Sequence, residues 1–510
     1  MARTKLKSQP ATLQAPAAAT YGEPEPAFPV SSPIPWWIAF SFLAVLALVE
    51  IWMPLNRIQA HYEVGYNEGW NAYLQQAVAD GGHIYGKAPA YTYANYPPVS
   101  FHVVGWLAKV THDVTRTGRW IALLSFAALA ALTGLTIRRL TGSRRAAWFS
   151  ALCLVIFVGA LKADRISMND PHLLGMAFVA FGFYAYVRDP ESTKWLRISA
   201  VAFALGLFTK QTLLAFPCAV GIQLLLTSKK HFFTWLWTAV GACVALLAMT
   251  FALDGSHFLE HLAFPRVYSY AFFLSNTVWY LLFFQTAIIV ALVWCLATSL
   301  AARTSSLVWA YALAHLLAFF FAAGAGADLN HLFDPAATLA MIGGIALPYA
   351  VWFSERVRFP NALLAILLVV PFFLGSLTML APRVQEDAST LRAVPQLEQD
   401  FTAAVDFVRA HPGPALCESL LLCFEAGKPE EFDAYAVDQL VKTGRVPEAA
   451  ILRLLDGRHF STIQLVTSEP IAPAERTRFS QAFMTRLLGG YQMAMQTNSY
   501  AIFTPKNSPR

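Results

Sequence analysis

Charge is what this sequence has least of. Only 13% of its 510 residues are Asp, Glu, Lys or Arg, about half of the roughly 25% found in soluble domains. That shortage excludes a soluble enzyme of this size, which would have too little polar surface to cover its core. Cysteine is scarce as well. Of six, Cys153, Cys218, Cys243 and Cys295 lie in apolar runs, where a thiol behaves as a small hydrophobe. Cys417 and Cys423 fall in a later polar region, and none of the six shows metal-ligand spacing. Two cysteines six apart on one helix are too far separated to bridge, so pairing is open only if they do not share a helix. Also missing is a short apolar segment with a small-residue cleavage site after Arg3, Lys5 and Lys7. Residues 1–34, rich in Pro and Ala, therefore read as a disordered cytoplasmic tail and not as a cleaved signal.

What is present is apolar material spread along most of the chain: 56% hydrophobic residues, among them 38 Phe, 14 Trp and 18 Tyr. With a mean hydropathy of +0.47, the class is a polytopic helical membrane protein. A crossing helix needs about 20 mostly apolar residues. That window predicts about eleven spans, near 36–54, 119–137, 146–162, 171–187, 196–209, 212–227, 233–253, 278–301, 306–323, 335–353 and 361–380. A twelfth stretch, 99–110, is short and polar and reads as an interfacial amphipathic helix. The net charge of +6 comes from short basic clusters between apolar runs, which indicates topology control and not a nucleic-acid-binding face. With the N-terminus inside, the clusters at Arg138–Arg145, at Arg188, Lys194 and Arg197, at Lys229–Lys230, at Arg303, and at Arg356 and Arg358 all fall on the cytoplasmic side.

The opposite loops then share the outer face: the large first loop 55–118, then 163–170, the turn at Lys210, 254–277, 324–334, and everything after about residue 382. They hold Glu63, Glu68, Asp164, Asp170, Asn330 and Asp334. Polar groups gathered at one end of an apolar bundle are costly and mark function. Three domains result: the tail 1–34, a transmembrane domain 35–381, and an outer α/β domain 382–510. In the last, a helix near 395–410, strands at 415–419 and 461–466, helices ending at 457 and spanning 475–488, and a terminal strand pair are expected.

Six motifs lie on the outer side. The first loop carries Asn67-Glu68-Gly69, Gly82-His83-Ile84-Tyr85 and Tyr96-Pro97-Pro98; the second carries Arg165 and Asp170. Phe208-Thr209-Lys210-Gln211-Thr212 makes a turn between two short spans, and residues 326–339, with Asn330, His331 and then the acid Asp334, lead into a late span. In this order and with this sidedness, the chain resembles the GT-C superfamily of polytopic glycosyltransferases, in the branch of the protein mannosyltransferases and the lipid A sugar transferases. Much of that family has Asp-Glu-Gly where this chain has Asn67-Glu68-Gly69.

The resemblance implies a GT-C-like bundle in an inner membrane and an inverting transfer of a sugar from a polyprenyl-phosphate donor to a lipid, glycan or protein acceptor. Glu68 is the expected general base, with Glu63 second, because removing a proton from an acceptor hydroxyl suits a carboxylate. Asp170 orients base or acceptor, with Asp164 as its competitor. Arg165 and Lys210 meet the phosphate as charge develops, Asn330 and His331 are neutral donors, and Gln211 and Tyr96 line the site. Some members use a divalent cation and others do not. Each residue also has a plain reading. Lys210 snorkels, Arg165 and Asp170 form a structural ion pair, Asp334 caps a helix ahead of Pro335, and His172 is structural. His257 and His261, at i and i+4, have metal-ligand spacing but no third ligand in sequence. A secondary transporter and a non-catalytic assembly subunit are the rival functions.

Overall fold

The computed structural model describes residues 34–87, 91–299, 302, 304–356, 372–467 and 478–506. The predicted tail, apart from residue 34, and the first half of the predicted span 361–380 lie outside them. Ten of the eleven apolar windows form helices among the described residues. These are α1 (Ile34–Arg57), α4 (Val114–Thr141), α5 (Arg144–Lys162), α6 (His172–Arg188), α7 (Thr193–Leu207), α8 (Ala215–Thr227), α9 (Lys229–Leu253), α11 (Tyr270–Ala297), α12 (Ser305–Ala322) and α13 (Phe333–Arg356). Hydroxyl and carboxylate caps set their starts: Asp113 accepts from the Arg116 amide, Ser143 from Ala146 and Ser228 from His231. Seven helices among the described residues are long and apolar enough to cross a bilayer, while α6 and α8 are shorter apolar helices. The protein is a multi-pass membrane protein.

The first outer loop folds into α2 (Asn67–Ala79) and α3 (Val99–Thr111), and α10 (Phe258–Leu262) lies between α9 and α11. The stretch read as interfacial is thus a helix of 13 residues. His102 pairs with Asp254 beyond the end of α9 at 2.9 Å.

A single helix, α14 (Leu374–Ala410), runs on past residue 382 with Pro382 and Pro395 inside it. The composition change at 382 is therefore not a break in the backbone. Beyond it come β1 (Ala415–Cys417), α15 (Leu420–Glu425), α16 (Ala434–Lys442), α17 (Glu448–Asp456), β2 (Thr462–Val466), α18 (Gln481–Gly490), β3 (Tyr491–Gln496) and β4 (Tyr500–Pro505). They form a sheet of order β1-β2-β4-β3, with β1 and β2 parallel and the terminal pair antiparallel. Cys417 and Cys423 form a disulfide with their Cα atoms 5.8 Å apart. The bridge closes because the chain turns at Glu418 and Ser419, placing one cysteine on a strand and the other on a helix.

Candidate active site

The site is assembled by α2. Asn67, Asn71 and Gln75 recur every four residues and so share one helix face. Asn67 donates to Asp170 (2.9 Å), Asn71 to the Asn169 carbonyl (2.8 Å), and Gln75 exchanges two 2.7 Å bonds with the Asn169 amide. This ladder clamps the first outer loop to the turn before α6.

Glu68, on the next face, is completely buried. Arg119 of α4 grips its carboxylate with two bonds of 2.7 Å, and the Val64 and Asn169 amides donate to the same oxygens at 2.7 and 3.0 Å. Arg119 also donates to the Ala60 and Tyr62 carbonyls. A carboxylate held by four donors has no lone pair to spare, so the structure gives Glu68 an architectural part and not the base position expected of it. Glu63 is also out of place for a base. It accepts from the Leu421 amide at 3.3 Å and sits against the C-terminal domain, where burial pushes its carboxyl up to about 7. Gly69 admits that same domain: a Cβ there would lie 2.0 Å from the Leu421 nitrogen.

A second charged group stands beside the ladder. Arg165 bonds Asp170 at 2.8 Å and Asp328 at 2.9 Å, and Lys162 lies 3.8 Å from Asp328. Burial works to raise the Asp170 carboxyl, but Lys210 and Arg165 override it and hold the group well below the ordinary carboxylate range. Lys210 is almost fully buried in the turn before α8, 5.0 Å above the Tyr96 ring. Burial pulls its ammonium down to about 8 against the opposing pull of Asp170.

These groups border a cavity of about 900 Å³. One wall carries Asn67, Tyr96, Lys162, Arg165, Asp328, Asn330 and His331. Another is the first three turns of α11, where Phe272, Ser275, Asn276 and Trp279 share one face. The C-terminal domain closes the cavity with Asp433, Tyr435, Asp438 and Gln439. Its seating is specific. The Tyr435 hydroxyl donates to the Ala325 carbonyl (2.8 Å), the Val267 amide donates to Gln439 (3.0 Å), and a side chain at Gly326 (φ +71°) would meet the Tyr435 ring at 2.6 Å. Arg266, in the loop before α11, also lines the cavity. It makes no ion pair or hydrogen bond among the described residues, standing among Tyr96, Tyr268 and Tyr435.

Of the residues expected from sequence, Tyr96, Arg165, Asn330 and His331 reach the cavity, with Asp170 and Lys210 directly behind them. Four do not reach it. Glu63 and Glu68 are engaged as above. Asp164 faces outward with Arg57 and Lys162, and Gln211 donates to the Asn95 carbonyl at 2.9 Å. The cap near the last motif is Asp328, which accepts from Leu329, and not Asp334, which lies within the first turn of α13. The residues sequence reasoning passed over are Asn67, Arg119, Arg266, Asp328 and the C-terminal set around Asp433. Only Asn67 carried a visible signal, through its spacing with Asn71 and Gln75.

Among the described residues no three His, Cys, Asp or Glu side chains converge on one point, and Glu68 and Asp170 are taken up by arginines. His257 bonds Glu260, while His261 accepts from the Ala94 amide and bonds the Gly86 carbonyl, so the two do not share a site.

The family model for dolichyl-phosphate-mannose-protein mannosyltransferase matches residues 95–253. No curated protein sequence matches the chain. Among solved structures, ArnT from Cupriavidus metallidurans bound to undecaprenyl phosphate superposes with a TM-score of 0.55 at 14% identity, covering 92% of this chain and 98% of that one. The Archaeoglobus fulgidus oligosaccharyltransferase in its apo form gives 0.51 at 11% identity, with 84% and 69% covered. The archaeal oligosaccharyltransferase AglB from the same organism, in complex with an inhibitory peptide and a dolichol-phosphate, gives 0.52 at 11%, with 85% and 70% covered. The chain thus has the GT-C-like fold of these structures, and the family match falls inside it.

Proposed function

We propose that this protein is a glycosyltransferase that takes a sugar from a polyprenyl-phosphate donor and passes it to an acceptor hydroxyl in the cavity. The observation that carries the reading is Arg266, an unpaired guanidinium in a cavity that also holds Arg165 and Lys162 and has a face of α11 as one wall. A half-buried cation without a partner among the described residues is costly, and an anion arriving with a substrate relieves that cost. ArnT and AglB were each solved with a polyprenyl-type phosphate, which supports the same donor class here.

In the transfer, the acceptor oxygen attacks the anomeric carbon and the bond from that carbon to the phosphate oxygen breaks. The phosphate leaves on its lipid, its growing charge met by Arg266 and Arg165. A single displacement inverts the sugar. We place the cavity on the outer face of a plasma membrane. The disulfide in the domain that closes it supports this, since such bonds persist in oxidising compartments, as do the arginines of the α4–α5 turn. The test is incubation of the purified protein with a panel of polyprenyl-phosphate sugars, following release of polyprenyl phosphate. Release with at least one donor is expected; none with any donor, where another GT-C enzyme turns over, overturns the reading. The amide of Asn67 at the expected acid position is what favours a non-catalytic subunit, and the same assay separates the two.

A further inference from the structure

We propose that Asp433, on the C-terminal domain, is the general base of the transfer; this rests on the function proposed above. The other carboxylates that line the cavity, Asp328 and Asp438, and the two held behind it, Glu68 and Asp170, are already engaged. Glu68 is saturated by Arg119 and two amides. Asp170 accepts from Arg165, Asn67 and the His172 amide. Asp328 is paired with Arg165 and caps Leu329. Asp438 is paired with Lys442 at 2.9 Å and accepts from Gln439. His331 stands among Lys210, Arg266 and Arg165, the wrong company for a group that must finish the step protonated.

Asp433 differs from all of these. It lines the cavity and forms no ion pair among the described residues, although Arg478, stacked on the Tyr66 ring, and the Tyr435 amide also act on it; the bonds from the Tyr66 hydroxyl and the Ala436 amide both fall on Oδ1. Oδ2 is the oxygen left for a substrate. Tyr66 is itself held in place, accepting from the Tyr435 amide at 3.0 Å. Burial raises the Asp433 carboxyl above the usual range, and the bond from Tyr66 moderates the rise; a carboxylate shifted that way is a stronger base. In the step, the acceptor O–H proton passes to Oδ2 as the new carbon–oxygen bond forms. The electron pair of the breaking bond departs with the polyprenyl phosphate, and Asp433 later returns its proton to water.

Asp433 also caps α16, so the test must leave the cap intact. Asn serves that position as well as Asp, which makes Asp433→Asn the informative variant. We expect kcat for transfer to fall about 10²–10⁴-fold, while Tm, donor KM and affinity for polyprenyl phosphate stay within about twofold. In a second variant, Tyr66→Phe, loss of the moderating bond moves the acid limb of the kcat–pH profile to higher pH. Asp433→Asn with kcat within about threefold of wild type overturns the assignment and leaves the glycosyltransferase reading standing. An acid limb unmoved by Tyr66→Phe also counts against it. Wild-type protein inert with every donor overturns both.

Discussion

Two arginines at the same end of the molecule have opposite surroundings. Arg119 has every donor directed at a partner: the Glu68 carboxylate and the carbonyls of residues that lead into α2. Arg266 has three tyrosines around it and pairs with no anion among the described residues. Removing a charge from water is costly in either place. In the first the chain supplies the compensation and gains a rigid junction between the first outer loop and α4. In the second, on the function proposed above, it is left to a substrate. A buried charge therefore speaks for function only when its partner is missing.

The comparison can be broken most forcefully at its closed half. Arg119→Ala strands a buried glutamate, and loss of one partner of such a pair costs about 3–5 kcal/mol. The variant should show a greatly lowered Tm in detergent, or fail to accumulate. If Arg119→Ala is instead as stable as wild type and only slow, the junction is catalytic after all. Gly69→Ala comes next. A methyl group 2.0 Å from the Leu421 nitrogen forces apart α2 and the C-terminal domain, at a cost toward the upper end of about 1–3 kcal/mol. Differential scanning calorimetry or limited proteolysis at the domain junction reads it out.

At the open half, Arg266→Ala should leave Tm unchanged or slightly raised, because no intramolecular bond is lost. Affinity for polyprenyl phosphate should fall by about 2 kcal/mol, the value of a hydrogen bond to a charged group, measured by titration calorimetry. An unchanged affinity would remove the asymmetry between the two arginines. The smallest effect is on pH. Burial brings Lys210 down to about 8, so its charge is present below that pH and is lost as pH rises through it. Affinity for the anionic lipid should therefore weaken by about 1 kcal/mol between pH 7 and 9, with the arginines unchanged over that range.

Much of the fold was open to reading from the chain. Ten of the predicted spans coincide with helices α1, α4–α9 and α11–α13, because hydropathy over a window is a local property that lipid and core both reward. The terminal strand pair was equally legible. The site was only half legible. Arg165, Asn330 and His331 were found because they sit in motifs at span ends. Glu68 was misassigned because its partner is 51 residues away in sequence, and nothing near Glu68 announces Arg119. Arg266 and Asp433 carry no periodicity or spacing at all. Asn67 shows the intermediate case, visible only as part of an every-fourth-residue ladder whose target could not be known.

The amino-acid sequence alone determined that this protein is an apolar helical bundle with a polar end, since crossing a bilayer requires long runs of hydrophobic residues and leaves charge nowhere else to go. Tertiary structure alone decided which charges were spent on holding that end together and which were kept for a ligand. Pairing over long sequence distances depends on where separate helices and a distant domain come to rest, and no local stretch encodes that.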